Sequence, residues 1–122
     1  MKKGSYLYVI VAAMAISGFI FLEDGNQGAG DLDAFAKCLA DRGITMYGAD
    51  WCPHCQNQKK AFGSSFGFVP YVECPDDPKR CLTAGISGFP TWIFPNGKKL
   101  EGEQELQKLS EESGCSLPAF ND

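Results

Sequence analysis

Apolar residues recur at helical spacing at Leu32, Phe35, Ala36 and Leu39, behind Asp31, a residue type that caps helix N-termini, so a first helix is predicted there. Ile44 to Ala49 (ITMYGA) is β-branched and aromatic and is closed off by Gly48, which reads as a short buried strand. Pro53 is the residue type favoured at the first position of a helix, so Cys52 is expected to cap a second one. Phe68 to Glu73 reads as a second strand, Pro78 to Ala84 as a short helix and Thr91 to Phe94 as a third strand. Pro95-Asn96-Gly97-Lys98 reads as a hairpin turn into a fourth strand near Lys99 to Glu101. Leu106 and Leu109 then share one face of a closing helix. This succession predicts an α/β domain with a mixed central sheet flanked by helices, its first two strands parallel through a crossover.

The pattern before residue 31 is different. After the basic start Met1-Lys2-Lys3, the seventeen residues Tyr6 to Leu22 carry no charge and would span about 25 Å as a helix, against a hydrocarbon core of roughly 30 Å. Residues 1–22 are therefore expected to be a signal-anchor or transmembrane segment, residues 23–30 a Gly-rich tether, and residues 31–122 the folded domain. A secretory signal removed by cleavage is the alternative, although no convincing small-x-small site follows the apolar run. In both readings the basic end stays in the cytoplasm and the rest is exported.

Composition narrows the frame. A chain of 122 residues with 44% hydrophobic and 12% aromatic residues supports one compact domain with a modest core. Without the first 22 residues, nine basic side chains face fifteen acidic ones, which suggests no nucleic-acid surface.

The candidate chemistry sits in Trp51-Cys52-Pro53-His54-Cys55. Two cysteines separated by two residues close a disulfide whose sulfurs remain within reach of other proteins. At a helix N-terminus the Cys52 thiolate would face unpaired backbone N–H groups and the positive end of the helix dipole, with protonated His54 adding charge, so its pKa should fall below about 8.5. Cys52 is the expected nucleophile. Cys55, one turn in, should be more buried and should resolve mixed disulfides by attacking the Cys52 sulfur. Trp51 and Trp92 are candidates for a peptide groove, with a core position equally open for Trp92.

The other four cysteines are expected to pair. Cys74 and Cys81 flank the short loop PDDPKR, and closing it would contribute roughly 2 to 3 kcal/mol in an oxidising compartment. Cys38 and Cys115 pair by parity, closing a loop worth roughly 4 to 5 kcal/mol. An alternative keeps Cys74 and Cys81 as a second redox pair relaying electrons to or from Cys52. A further class, metal carriage by Cys and His ligands, is disfavoured because Cys74 and Cys81 are too far apart for a second zinc knuckle. No metal and no cofactor is expected.

The order of elements, WCPHC at a strand-to-helix junction and Gly88-Phe89-Pro90-Thr91 before the third strand resemble the thioredoxin fold over roughly residues 31 to 115. More narrowly, MYGADWCPHCQNQKKAF, YVECPDDP and GISGFPTWIFPNGKKLEGEQEL resemble the thioredoxin-like domain fused to vitamin K epoxide reductase homologues. The resemblance implies a thiol:disulfide oxidoreductase that donates disulfides to exported cysteine-containing proteins and is reoxidised by a quinone-linked membrane enzyme. Because a lone hydrophobic segment precedes the domain here, that vitamin K epoxide reductase-like partner would be a separate chain. The compartment would be a bacterial periplasm or a thylakoid lumen. A reductase or isomerase is the alternative, since direction depends on potential and partner.

By the same resemblance Pro90 should be cis and face the dithiol, leaving the Phe89 backbone to pair with an extended substrate. Pro90→Ala should then trap mixed disulfides or slow exchange. Trp51, Pro53, His54, Phe89 and Pro90 are thus the expected supporting residues around Cys52 and Cys55. In one respect the chain departs from the family: the position of a buried carboxylate six before the nucleophile is Met46. Asp50 is expected to be exposed and a poor substitute, so solvent or His54 would accept the proton.

Overall fold

A computed structural model describes residues 32–119. The expected capping by Asp31 and the expected membrane segment and tether of residues 1–30 lie outside these residues. The first helix, α1, runs Asp33–Asp41 with Leu32 at its N-cap, and no side chain caps it. Instead the Leu32 N–H donates to Ser65 Oγ at 3.2 Å, and Ser65 Oγ donates to Asp33 Oδ1 at 2.6 Å. Phe35, Ala36 and Leu39 turn inward, as their spacing predicts.

Strand β1 is Thr45–Gly48, helix α2 is Pro53–Phe62, strand β2 is Tyr71–Glu73 and helix α3 is Pro78–Thr83. Strand β3 is Thr91–Ile93, strand β4 is Lys99–Glu101 and helix α4 is Leu106–Ser113. The sheet order is β2-β1-β3-β4, with β1 parallel to β2 and antiparallel to β3, and β4 antiparallel to β3. Helix α2 makes the crossover between the parallel strands. This is a thioredoxin-like α/β fold with a mixed sheet. Its hairpin closes as the turn chemistry predicts, Phe94 N–H donating to Lys98 O at 2.9 Å.

The second strand is shorter than expected. Gly63, at φ +59°, ends α2, and residues Gly63–Phe68 coil into a 3-10 helix before the chain extends. Pro70 has no N–H to give a ladder, so pairing starts with its carbonyl, which accepts from Met46 N at 2.9 Å. Phe68 is consequently exposed rather than in a strand, with the Lys37 ammonium 4.4 Å above its ring.

Strand alternation divides the interior. Met46, Tyr71 and Trp92 face a large core with Phe35, Leu39, Phe62 and Leu109. Phe35 stacks on Phe62 at 5.8 Å, and burying each such ring contributes about 1.5–3 kcal/mol. Tyr47 and Val72 face a small cluster with Cys74, Cys81, Ile86 and Phe89. The Cys74–Cys81 bond (S–S 2.10 Å) lies in the small cluster, and Cys38–Cys115 (S–S 2.09 Å) ties α1 to the segment after α4.

Candidate active site

Strand β1 delivers the chain to the site and α2 carries it away. Cys52 is the N-cap of α2, in extended conformation, and Pro53 follows in the first turn. The local turn is closed by Cys52 N–H to Ala49 O at 3.1 Å, and the helix opens with Gln56 N–H to Cys52 O at 3.0 Å. Cys52 and Cys55 are both free thiols, Cys52 being 7% exposed at the rim and Cys55 fully buried beneath it.

Their environments push the two sulfurs apart. As a thiol, Cys52 caps nothing and donates to the Phe89 carbonyl, 3.7 Å away. As a thiolate it is opposed by partial burial, but the backbone N–H and thiol of Cys55 and the backbone N–H of His54 outweigh that, so its pKa is lowered. Burial, reinforced by the neighbouring Cys52, pushes the Cys55 thiol up to about 11, against the pull of the Ala49 backbone and Lys59. The two sulfurs thus differ in how readily each gives up its proton.

The expected supporting residues surround this pair unevenly. Trp51 is 65% exposed and meets Phe89 edge to face, ring centroids 6.0 Å apart. The Phe89–Pro90 peptide is cis, and Pro90 is buried while its carbonyl accepts from Gly102 N at 2.7 Å. His54 is exposed and its Nδ1 lies 3.3 Å from Glu103 Oε1, so what reaches the Cys52 sulfur is its backbone N–H. Trp92 is fully buried in the core and lines no groove. Asp50 is exposed and Met46 is fully buried, as read from the sequence. Beside the dithiol, Trp51, Phe89, Ile86 and Leu82 and the Cys74–Cys81 bridge line an apolar groove of about 350 Å³. Among the described residues no group of three or more His, Cys, Asp or Glu is arranged to hold a metal ion, and Cys74 and Cys81 are bonded to each other.

Three features of the site escaped the sequence reading. Gln58 is fully buried, its Oε1 accepting from Trp92 Nε1 (3.2 Å) and Gln104 N (2.6 Å) and its Nε2 donating to Gln104 O (2.9 Å). It fixes α2 to the sheet, and its position one turn after Cys55 on the same helix face is the signal that could have found it. Gly48 is required for close approach, since a Cβ there would stand 2.9 Å from Cys55 Sγ. Tyr71 donates to Glu73 Oε2 at 2.6 Å on the same side of the sheet.

No family model matches the chain. Residues of the chain are 47% identical over 98 positions to the thiol-disulfide oxidoreductase LTO1 of Arabidopsis thaliana, covering 73% of this chain and 26% of that protein. The protein disulfide isomerase-like 2-2 of Oryza sativa subsp. japonica is 35% identical over 86 residues, covering 58% of this chain and 23% of that one. The chain thus spans about a quarter of the length of these relatives. A thioredoxin from Fasciola hepatica superposes with a TM-score of 0.43 at 21% identity, covering 58% of this chain and 76% of that one.

Proposed function

We propose that the chain is a thiol:disulfide oxidoreductase that works through a Cys52–Cys55 couple and donates disulfides to exported proteins. The observation that carries this reading is a pair of free, neighbouring thiols at a helix N-terminus, Cys52 at the rim as the N-cap and Cys55 fully buried beneath it. In the oxidised domain a substrate thiolate attacks Cys52 Sγ, the Cys52–Cys55 bond breaks, and its electron pair leaves on Cys55 Sγ. A second substrate thiolate then attacks the substrate sulfur of the mixed disulfide and expels Cys52 as a thiolate. A depressed Cys52 pKa makes that departure easy and stabilises the reduced domain at neutral pH, which strengthens the disulfide as an oxidant. The groove between Trp51 and Leu82 offers apolar contact to the substrate segment beside its cysteine.

The likeness to the Arabidopsis thiol-disulfide oxidoreductase supports the chemistry. The domain would be held at a membrane by residues 6–22, or released by signal cleavage, in a periplasm or thylakoid lumen. A quinone-linked, vitamin K epoxide reductase-like membrane partner would reoxidise it by accepting electrons from the Cys52–Cys55 dithiol. The second reading is an isomerase or reductase, favoured by the relatives named protein disulfide isomerase.

A glutathione redox titration of the full chain, with alkylation and mass mapping of all six cysteines, tests direction. A Cys52–Cys55 couple more oxidising than about −180 mV, with the other four locked as disulfides, is the expected result. A value near −270 mV would overturn the oxidase in favour of the reductase, and a second pair titrating in the same range would revive the relay through Cys74 and Cys81.

A further inference from the structure

Resting on the exchange reading above, the fully buried Cys55 thiol must lose a proton before it attacks Cys52 and regain one after it leaves. Met46, buried in the same core, carries no carboxylate, Asp50 is exposed, and the His54 ring is turned to Glu103. The parallel register pairs Met46 with Tyr71 and Gly48 with Glu73, so strand alternation brings Tyr71 and Glu73 to the face on which Cys55 lies. A Cβ on Gly48 would stand 2.9 Å from Cys55 Sγ and 3.3 Å from Tyr71 Oη, so the thiol and the phenol border the same point of the interior. Tyr71 Oη donates to Glu73 Oε2 at 2.6 Å, while Glu73 Oε1 is held by the Asp50 N–H at 2.8 Å.

We propose that Tyr71 and Glu73 are the proton relay of Cys55. The Cys55 thiol gives its proton to Tyr71 Oη, directly or over one water molecule, as the Tyr71 proton passes to Glu73 Oε2. The Cys55 electron pair freed in this way forms the bond to Cys52 Sγ and expels the partner sulfur as a thiolate. Run backwards, the relay returns the proton to Cys55 when the disulfide is reduced.

Tyr71 is suited to hand a proton on rather than to keep or lose one. Burial first, then the Glu73 carboxylate beside it, push its phenol above the usual tyrosine range, so it stays a donor. Among the described residues, Cys55 is influenced by Cys52 at the helix cap and Lys59 on α2, and Tyr71 by Glu73 on β2, by Cys55 and by Asp50 in the loop between β1 and α2. The Lys59 ammonium sits 4.1 Å above the Tyr71 ring and opposes the rise of the Cys55 pKa.

The test is stopped-flow oxidation of the full reduced-dithiol chain by the aromatic disulfide dithiobis(nitrobenzoate). The first release of nitrothiobenzoate reports attack by Cys52, and the second reports attack by Cys55 on the resulting mixed disulfide. In Tyr71→Phe and Glu73→Gln the second phase should slow by about a hundredfold at pH 7 and recover tenfold per pH unit, matching the wild type by about pH 9, with the first phase unchanged. Glu73→Asp should restore part of the rate. Second phases in both variants that match the wild type at every pH would overturn the relay. A slowing that persists unchanged at high pH would also overturn it, leaving Tyr71 a packing role. A wild-type chain with no second release would overturn the exchange reading itself, and the relay with it.

Discussion

Helices α2 and α3 both begin with proline, at Pro53 and Pro78, and both carry a cysteine in the first turns, Cys55 and Cys81. At α3 the capping position belongs to Asp77, whose carboxylate accepts from Arg80 N at 3.2 Å, and Cys81 bonds back to Cys74 before the cap. At α2 the capping position belongs to Cys52 itself, and Cys55 lies one turn in, on the same side. The same turn therefore carries a structural bridge where a carboxylate caps the helix N–H groups and a free dithiol where no side chain does. Where a carboxylate takes them, the sulfurs are ordinary. Where no side chain takes them, they are left to stabilise a Cys52 thiolate.

The strongest break of this comparison is Cys52→Ser, which leaves a capping side chain but no attacking sulfur. Exchange with a model disulfide should fall by about a thousandfold or more, while Cys55→Ser should complete the first attack and stall as a mixed disulfide seen by mass spectrometry. The bonded pairs should instead respond in stability. Urea unfolding should show a loss of about 4 to 5 kcal/mol for Cys38→Ser with Cys115→Ser and about 2 to 3 kcal/mol for Cys74→Ser with Cys81→Ser, exchange surviving in the second variant. Retained stability but lost exchange in that variant would place the bridge at α3 in the redox chemistry.

A smaller effect is expected of Gly48→Ala. Its methyl would meet Cys55 Sγ at 2.9 Å and Tyr71 at 3.2 Å, so we expect a loss of about 1–3 kcal/mol and slower attack by Cys55. An unchanged denaturation midpoint would show that the site relaxes. The smallest effect is a displacement in pH. Alkylation of reduced Cys52 should reach half its maximal rate below the ordinary cysteine range, while Cys55 should remain unreactive until about pH 11. Because the folded Cys52 pKa is depressed, its contribution to the stability of the reduced form is present above the unfolded value and lost as pH falls through the folded one. A single shared midpoint for both thiols would contradict the opposed environments.

Much of this was legible because it rests on short-range rules. Proline after Cys52 announced a helix start, and Pro95-Asn96-Gly97-Lys98 announced the hairpin. The β2 boundary was missed because Phe68 and Val69 have strand composition, whereas Gly63, Gly67 and Pro70 decide the backbone there. Tyr71, Glu73 and Gln58 were missed for a different reason. Each acts on a residue that the parallel register or the helix packing brings near, and neither relation is written in local spacing. The same holds for Trp92, whose indole N–H donates to the buried Gln58 amide oxygen.

The bond between Cys38 and Cys115 also has a mechanical meaning. A pull applied to the chain outside these two residues passes from Cys38 through sulfur to Cys115, and the chain between them, a sequence separation of 77, carries none of it. The sheet, the cis peptide and the reactive dithiol all lie inside that span. Tension that would peel an unbridged domain from its ends is thus borne by a covalent short circuit, and the site keeps its geometry under load.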